Sequence, residues 1–319
     1  MQPECSTLVE LLCLRADQFP GKTAHIWLRH GHPTGTLSFG SMNARAKAIG
    51  SRLRRMIGVG EPVLLVFPSG LDFIQALFGC LYGGCVALPV LLPHPFLIRR
   101  TLQRLLSIVK DAKPGVALTT SDSLPTIRRF YEQDQHLAAV SWIAVDTIDD
   151  AQAIEWRVPR ETPGTTAIIQ YSSGTLEHPK GILLTHHNIL ENTRLIHDLS
   201  RHNSESRGVI WLPHSHDMGL MSIIQMLYAG CLCVNLSPVE FLKEPIRWLQ
   251  AISDFEATSS PAPNFAYDLC VKRITPQQRA GLNLKGWSRA YISAEPIRAT
   301  TLDRFSSYFE PAGFRIMAA

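Results

Sequence analysis

Between residues 63 and 147 short continuous apolar runs alternate with stretches whose apolar residues recur every three or four positions. VLLVF (63–67), CVALPV (85–90), GVALTT (115–120) and WIAVDT (142–147) predict strands. LDFIQALFGCLY (71–82), LIRRTLQRLLSIVKDA (97–112) and SDSLPTIRRFYEQD (121–134) predict helices, the last N-capped by Ser or Asp. A polar connection follows at 148–164, with Pro159, Pro163 and Gly164. Then a second series begins. TAIIQYSSG (166–174) reads as a strand entering a loop, and GVIWLP (208–213), CLCVNL (231–236) and RAYISA (289–294) as strands. Residues 186–199, 241–253 and 264–274 read as helices. Met218 to Leu236 is apolar enough to be weighed as a membrane span, but Gln225, Gly230 and Asn235 interrupt it. It reads instead as a helix (218–228), a glycine turn and a buried strand (231–236). Continuous strands alternating with helices predict an α/β fold: two packed lobes of largely parallel sheet flanked by helices, approximately 1–160 and 161–319.

Composition narrows the class. The chain has 319 residues, 45% hydrophobic and 18% charged, enough to bury a sizeable core and too apolar for disorder. Thirty-one Lys and Arg against 27 Asp and Glu leave a net charge of +4, which gives no argument for nucleic acid. Seven cysteines, none in C-x-x-C spacing, point to reduced thiols in a cytoplasmic protein. The first residues, MQPECSTLVE, lack the charge pattern of an export signal.

In parallel α/β folds the loops beyond the carboxyl ends of strands carry the chemistry. QYSSGTLEHPKG (170–181) sets Ser172, Ser173 and Thr175 around Gly174, with Lys180 six residues on. Hydroxyls, a permissive glycine and a cation suit a nucleotide's phosphates, although the spacing is not that of a P-loop. A solvated Ser/Gly turn is the competing interpretation. WLPHSHDMGL (211–220) crowds His214, His216 and Asp217 at a strand end. Metal ligation is one interpretation, but no Cys or Glu set completes it. A neutral histidine can also donate a hydrogen bond toward a carboxylate or phosphate oxygen. Residues 259–274 and 291–305 each read as strand, turn and helix, with Asn264 and Glu295 as ordinary turn residues.

Together these four segments resemble the motifs of the adenylate-forming, acyl-activating enzymes, and in particular the fatty acyl-AMP ligases. Gln170, Tyr171, Ser173, Gly174, Thr175, Pro179, Lys180 and Gly181 match the phosphate-binding signature [YF]-T-S-G-[ST]-T-G-x-P-K-G and the residue before it without a gap. Ser172 replaces Thr, and Leu176 and Glu177 stand where Thr and Gly are usual. The segment 211–220 is similar to W-L-P-x-x-H-D-M-G-L, and the other two to P-N-F-A-Y-D-L-C and G-A-E-P-I-R. The resemblance spans most of 20–315. It implies the large N-terminal AMP-binding domain, incomplete, with the family's C-terminal domain absent from this sequence.

What the resemblance implies about chemistry is specific. Ser172, Ser173, Gly174, Thr175 and Lys180 would hold phosphates. Ser293, Ala294, Glu295 and Pro296 would hold adenine. His216 would be the catalytic residue beside the carboxylate. Asp217, Met218, Gly219, Pro263 and Asn264 would border the acyl chain. The complete enzyme would take ATP, Mg2+ and a fatty acid. It would pass the acyl group to an acyl carrier protein or a polyketide or nonribosomal synthase. The family's magnesium carboxylate would lie beyond residue 319, so this chain alone is expected to adenylate weakly at most. A long-chain acyl-CoA synthetase and a shortened non-catalytic nucleotide- or acyl-binding protein are the alternatives.

Overall fold

The computed structural model describes residues 3–92, 98–131, 134–171 and 180–315. The strands are β1 Thr23–Arg29, β2 His32–Ser38, β3 Pro62–Phe67, β4 Val86–Leu91, β5 Val116–Thr119 and β6 Ser141–Ala144. They continue with β7 Thr166–Tyr171, β8 Gly181–Thr185, β9 Arg207–Ile210, β10 Leu232–Asn235, β11 Ser259–Ala262 and β12 Arg289–Ile292. The helices are α1 Leu8–Gln18, α2 Phe39–Arg54, α3 Leu71–Tyr82, α4 Ile98–Ala112, α5 Leu124–Tyr131, α6 Gln135–Ala138 and α7 His186–Ser200. They continue with α8 Asp217–Ala229, α9 Pro238–Lys243, α10 Ile246–Asp254, α11 Asn264–Arg273, α12 Pro276–Ala280 and α13 Ala299–Phe309. The fold is α/β, with two largely parallel six-stranded sheets flanked by helices.

Two compact units divide the chain. The first holds 3–22 and 38–192, the second 23–37 and 193–319. In the first, the strand order is β6-β5-β3-β4-β7-β8, parallel except for the β7–β8 pair. β3 lies between β4 and β5 and is buried on both faces from Val63 to Phe67, which is why its sequence is apolar without alternation. Leu64, Val66, Leu88, Val90, Leu105, Ile108 and Ile127 close the core on one side of it. Each such side chain contributes roughly 1.5–3 kcal/mol by leaving water. The buried imidazole of His186 ties this unit's termini together. Its Nδ1 accepts from the Leu8 amide at 3.1 Å, and its Nε2 lies 2.9 Å from Glu161.

In the second unit the order is β12-β11-β9-β10-β1-β2. The hairpin β1–β2 turns through His30 and Gly31, both at positive φ, and lays β1 parallel to β10 with His25 opposite Cys233. The core is aromatic. Trp248 meets Trp211, Phe241, Tyr267 and Trp287 edge-on at 5.3–6.1 Å. Its indole N–H donates to Ser260 Oγ (2.8 Å), which donates in turn to the Val209 carbonyl (2.6 Å).

The apolar run 218–236 divides as its sequence predicts. α8 ends at Gly230, whose left-handed φ of 67° allows the chain to turn into β10. Several expectations need correction. The single helix expected over 241–253 is two, because Pro245 has no amide to continue α9. The helix expected from 121 begins at Leu124, and a second, α6, follows from its own cap, Asp134. The strand expected to reach 147 stops at Ala144 and tightens into a 3-10 turn, where Thr147 donates to the Ala144 carbonyl. The polar connection at 148–164 contains another 3-10 helix over Asp150–Glu155.

Candidate functional site

Four of the residues singled out in sequence lie around α8 in the second unit. β9 stops at Ile210, and the chain turns where the His216 amide donates to the Pro213 carbonyl (3.0 Å). The first helical bond then runs from the Leu220 amide to the His216 carbonyl (2.8 Å). Asp217 caps this turn by accepting from the Met218 amide (2.6 Å), which places a carboxylate at the positive end of the helix. Its Oδ1 also lies 2.5 Å from His216 Nδ1. With Nδ1–H turned to Asp217, Nε2 is the nitrogen left to meet a ligand. Which of the two ring nitrogens carries a proton decides whether Nε2 donates or accepts there. Gly219 has a steric reason: a Cβ there would lie 2.3 Å from the Pro213 carbonyl oxygen.

The turn after β12 is the second wall. Ala294 adopts a left-handed φ of 69°, uncommon for a residue with a Cβ. This ends the strand expected over 289–294 at Ile292. Glu295 Oε1 accepts from the Phe265 amide (2.5 Å) at the start of α11. Asn264 is buried, and both ends of its side-chain amide are engaged. Its Oδ1 accepts from the Arg298 amide (3.0 Å), and its Nδ2 donates to Thr301 Oγ1 (3.3 Å). Thr301 donates onward to Asp268 (3.0 Å). The strained turn is thus held against α11 from both ends.

Between these walls lies a cavity of about 340 Å3 lined by Trp211, His216, Met218, Pro263, Phe265, Ala294 and Glu295. Its lining is mostly apolar, and His216 and Glu295 are its ionisable members. Trp211 is fixed by stacking on Phe241 with ring centroids 3.8 Å apart. A second cavity of about 180 Å3 is lined by Met218, Met221, Ser222, Gln225 and Met226 on α8, with Ile210, Pro261, Tyr291 and Ser293 from the sheet. Met218 lines both, so the two adjoin at the first turn of α8. Behind the second cavity Tyr291 Oη donates to Ser200 and lies 3.3 Å from His202 Nε2. Burial, then Arg289 and His197, push the His202 imidazole down to about 4. Burial beside His214 holds His25 at about 3.

The structure therefore gathers His216, Met218, Pro263, Ala294 and Glu295 around one cavity and Ser293 at the other. Asp217 and Gly219 shape the loop, and Pro296 is exposed on the turn. Lys180 is exposed in the first unit, immediately before β8. Ser172, Ser173, Gly174 and Thr175 lie outside the described residues. Upstream of them Tyr171 is anchored by donating to Asp111 (2.5 Å). Sequence reasoning missed Met221, Gln225 and Met226. Their three- and four-residue spacing was visible as a helix face, but nothing marked that face as lining a cavity. Among the described residues no cluster of three or more His, Cys, Asp or Glu side chains is placed to hold a metal ion, and no helix is long and apolar enough to cross a membrane.

A family model described as "AMP-binding enzyme" matches residues 14–316. The chain is 40% identical over 317 residues to the medium-chain-fatty-acid–[acyl-carrier-protein] ligase JamA of Moorena producens, covering 98% of this chain and 54% of that protein. The crystal structure of a fatty acid AMP ligase from Legionella pneumophila superposes with a TM-score of 0.92 at 36% identity, covering 98% of this chain and 54% of that one. A fatty acyl-adenylate ligase from L. pneumophila, in complex with acyl adenylate and pyrophosphate, superposes at 0.91 with 36% identity and the same coverage. The chain spans about half the length of the curated relatives it matches.

Proposed function

From the premise that the chain belongs to the AMP-binding enzyme family, we propose that it carries the acyl and adenylate sites of a fatty acyl-AMP ligase. The observation that carries this reading is the pair of cavities meeting at Met218: one bounded by His216 and the 294–295 turn, the other smaller and almost wholly apolar. The apolar cavity suits an alkyl chain, which needs burial and no polar partners. Its mouth delivers a carboxylate to the side of His216. The 294–296 turn, held in its strained form by Glu295 and Asn264, offers backbone groups to a purine edge.

The reaction is attack of a carboxylate oxygen on the α-phosphorus of ATP. An O–P bond forms to give acyl-AMP, and the bond to pyrophosphate breaks. Negative charge spreads over phosphate oxygens in the transition state, so catalysis rests on in-line positioning and on cations and N–H groups aimed at those oxygens. Lys180 and the 172–175 loop are proposed for the phosphates, and the His216 ring for the carboxylate or α-phosphate. When bound with ATP, Mg2+ supplies charge neutralisation of the phosphates. The whole protein would then hand the acyl group to a carrier-protein thiol, and JamA, a ligase to acyl carrier protein by name, supports that acceptor over coenzyme A.

Titration of the 319-residue chain with an acyl-sulfamoyl-adenosine, a stable mimic of acyl-AMP, tests the reading. Saturable binding that weakens at least tenfold without the acyl chain, and again in His216→Ala, is expected. Equal affinity for acylated and unacylated adenosine would reject it.

A further inference from the structure

The segment 150–160, read from sequence as a polar connection, is a fixed feature of the first unit's surface. Trp156 turns inward, stacks on Tyr82 at 5.0 Å and donates its indole N–H to the Tyr82 carbonyl (2.9 Å). Lys47 stands over its ring at 5.1 Å. With its aromatic residue committed inward, the segment turns aliphatic residues outward: Ile154 is 86% exposed and Val158 64%. The loop after α2 lies beside it and adds Val59 at 60% and Met56 at 38%. Two contacts fix this adjacency. Arg54 donates to the Arg157 carbonyl (2.9 Å), and a Cβ on Gly84 would touch both Val59 (3.3 Å) and Pro159 (3.4 Å).

Cations surround these side chains. Arg54, Arg55, Arg157 and Arg160 are exposed and Arg52 is half-buried, all on the same two stretches. Against them stand Glu61, Asp149, Asp150 and Glu155, with Asp150 paired to Arg45 and Glu155 to Arg55. Arg52 and Arg160 have no partner among the described residues. Clustered aliphatic side chains standing in water are unfavourable, and a rim with an excess of positive charge repels itself. A single partner relieves both: a surface that is apolar beneath a layer of negative charge.

We infer that this face of the first unit docks on an anionic lipid surface, with Val59, Ile154 and Val158 entering the acyl boundary and the arginines meeting lipid phosphates. Arginine suits this role because its planar fork can bind phosphate with two hydrogen bonds. Juxtamembrane basic residues gain most from anionic leaflets and lose that gain in salt. An acidic protein helix would share the charge preference. Protein hot spots, however, are rich in aromatic anchors and poor in Leu and Val, and here the aromatic residue points inward and aliphatic tips project. The inference stands apart from the proposed adenylation. It concerns where the protein sits, not what it turns over.

Sedimentation of the full chain with large vesicles tests it. Phosphatidylcholine vesicles with and without 30% (about one third) phosphatidylglycerol would be compared at low and high salt. At least tenfold tighter binding to the anionic vesicles is expected, falling steeply as salt rises. Ile154→Asp with Val158→Asp should cost tenfold or more, and Arg52→Glu with Arg160→Glu a similar factor. Leu195→Asp, at an exposed position on α7, should bind as the parent does. These positions lie at the surface, and unchanged circular dichroism would confirm that the variants fold. Equal binding to both vesicles, an indifferent Ile154/Val158 variant, or an equal loss in Leu195→Asp would each overturn the inference. So would capture of an acidic carrier protein by this face with no vesicle binding.

Discussion

Around β3 the first unit packs Leu64, Val66, Leu88 and Val90, none of which has a polar atom in its side chain. Around Trp248 the second unit packs Trp211, Phe241, Tyr267 and Trp287, and the central indole is hydrogen-bonded through Ser260 to β9. An aliphatic core can adjust by small rotations, because burial has no preferred direction. An aromatic core with a polar handle fixes orientation as well as position. The two cavities described above lie in the unit with the directional core. Trp211 belongs both to that core and to a cavity wall, so packing there is also site geometry.

The sharpest way to break this comparison is one large truncation in each core. Trp248→Ala should cost about 3–5 kcal/mol and Leu64→Ala about 2–5 kcal/mol in denaturant unfolding. Only Trp248→Ala should also weaken acyl-sulfamoyl-adenosine binding more than tenfold. Equal effects on binding would show that core type does not matter.

Acid provides the next contrast. His25 and His202, both in the second unit, are held neutral at about 3 and about 4. Unfolding exposes them to their ordinary value near 6.5, so below that pH the unfolded chain binds more protons. Their contribution is complete above about pH 6.5 and is lost progressively as pH falls toward 4 and then 3, by about 1.4 kcal/mol per pH unit for each. Urea unfolding between pH 7 and 4.5 should show the steep loss in the second unit, and His25→Asn should flatten it.

At the site, Gly219→Ala presses a methyl into the Pro213 carbonyl. The expected cost is about 1–3 kcal/mol of overpacking, with a larger fractional loss in ligand binding, read by calorimetry. The smallest effects belong to exposed ion pairs. Glu155→Gln in the first unit and Glu256→Gln in the second should each change stability by less than about 0.5 kcal/mol in the same denaturant assay.

The sequence was most legible where burial and period coincide. The helix at 71–82 and the strand at 63–67 could be read because apolar runs of those lengths leave few alternatives. Proline and positive φ corrected the ends: Pro245 divides one helix, and Ala294 ends a strand early. The site was legible only as motifs, since nothing in local spacing says that Pro263 and Glu295 share a cavity with His216. Nor could spacing show that Asn264 holds the 298–301 segment. The hairpin at 23–38 carries weak alternation, with Gly35 and Pro33 in its second strand. Its place beside β10 depends on a contact more than two hundred residues away in sequence.

That hairpin has a consequence for how the molecule comes into being. Residues 23–37 leave the ribosome well before β10, which follows only after the first unit's 38–192 have been made. The early strand waits unpaired while a neighbour completes itself, and closing so long a loop is slow even though its entropic cost grows only with the logarithm of length. It also means that no single proteolytic cut frees either unit whole: a nick between 160 and 193 releases a second half without its edge strands. Synthesis order and architecture are interleaved, because each unit is assembled from two segments separated by part of the other.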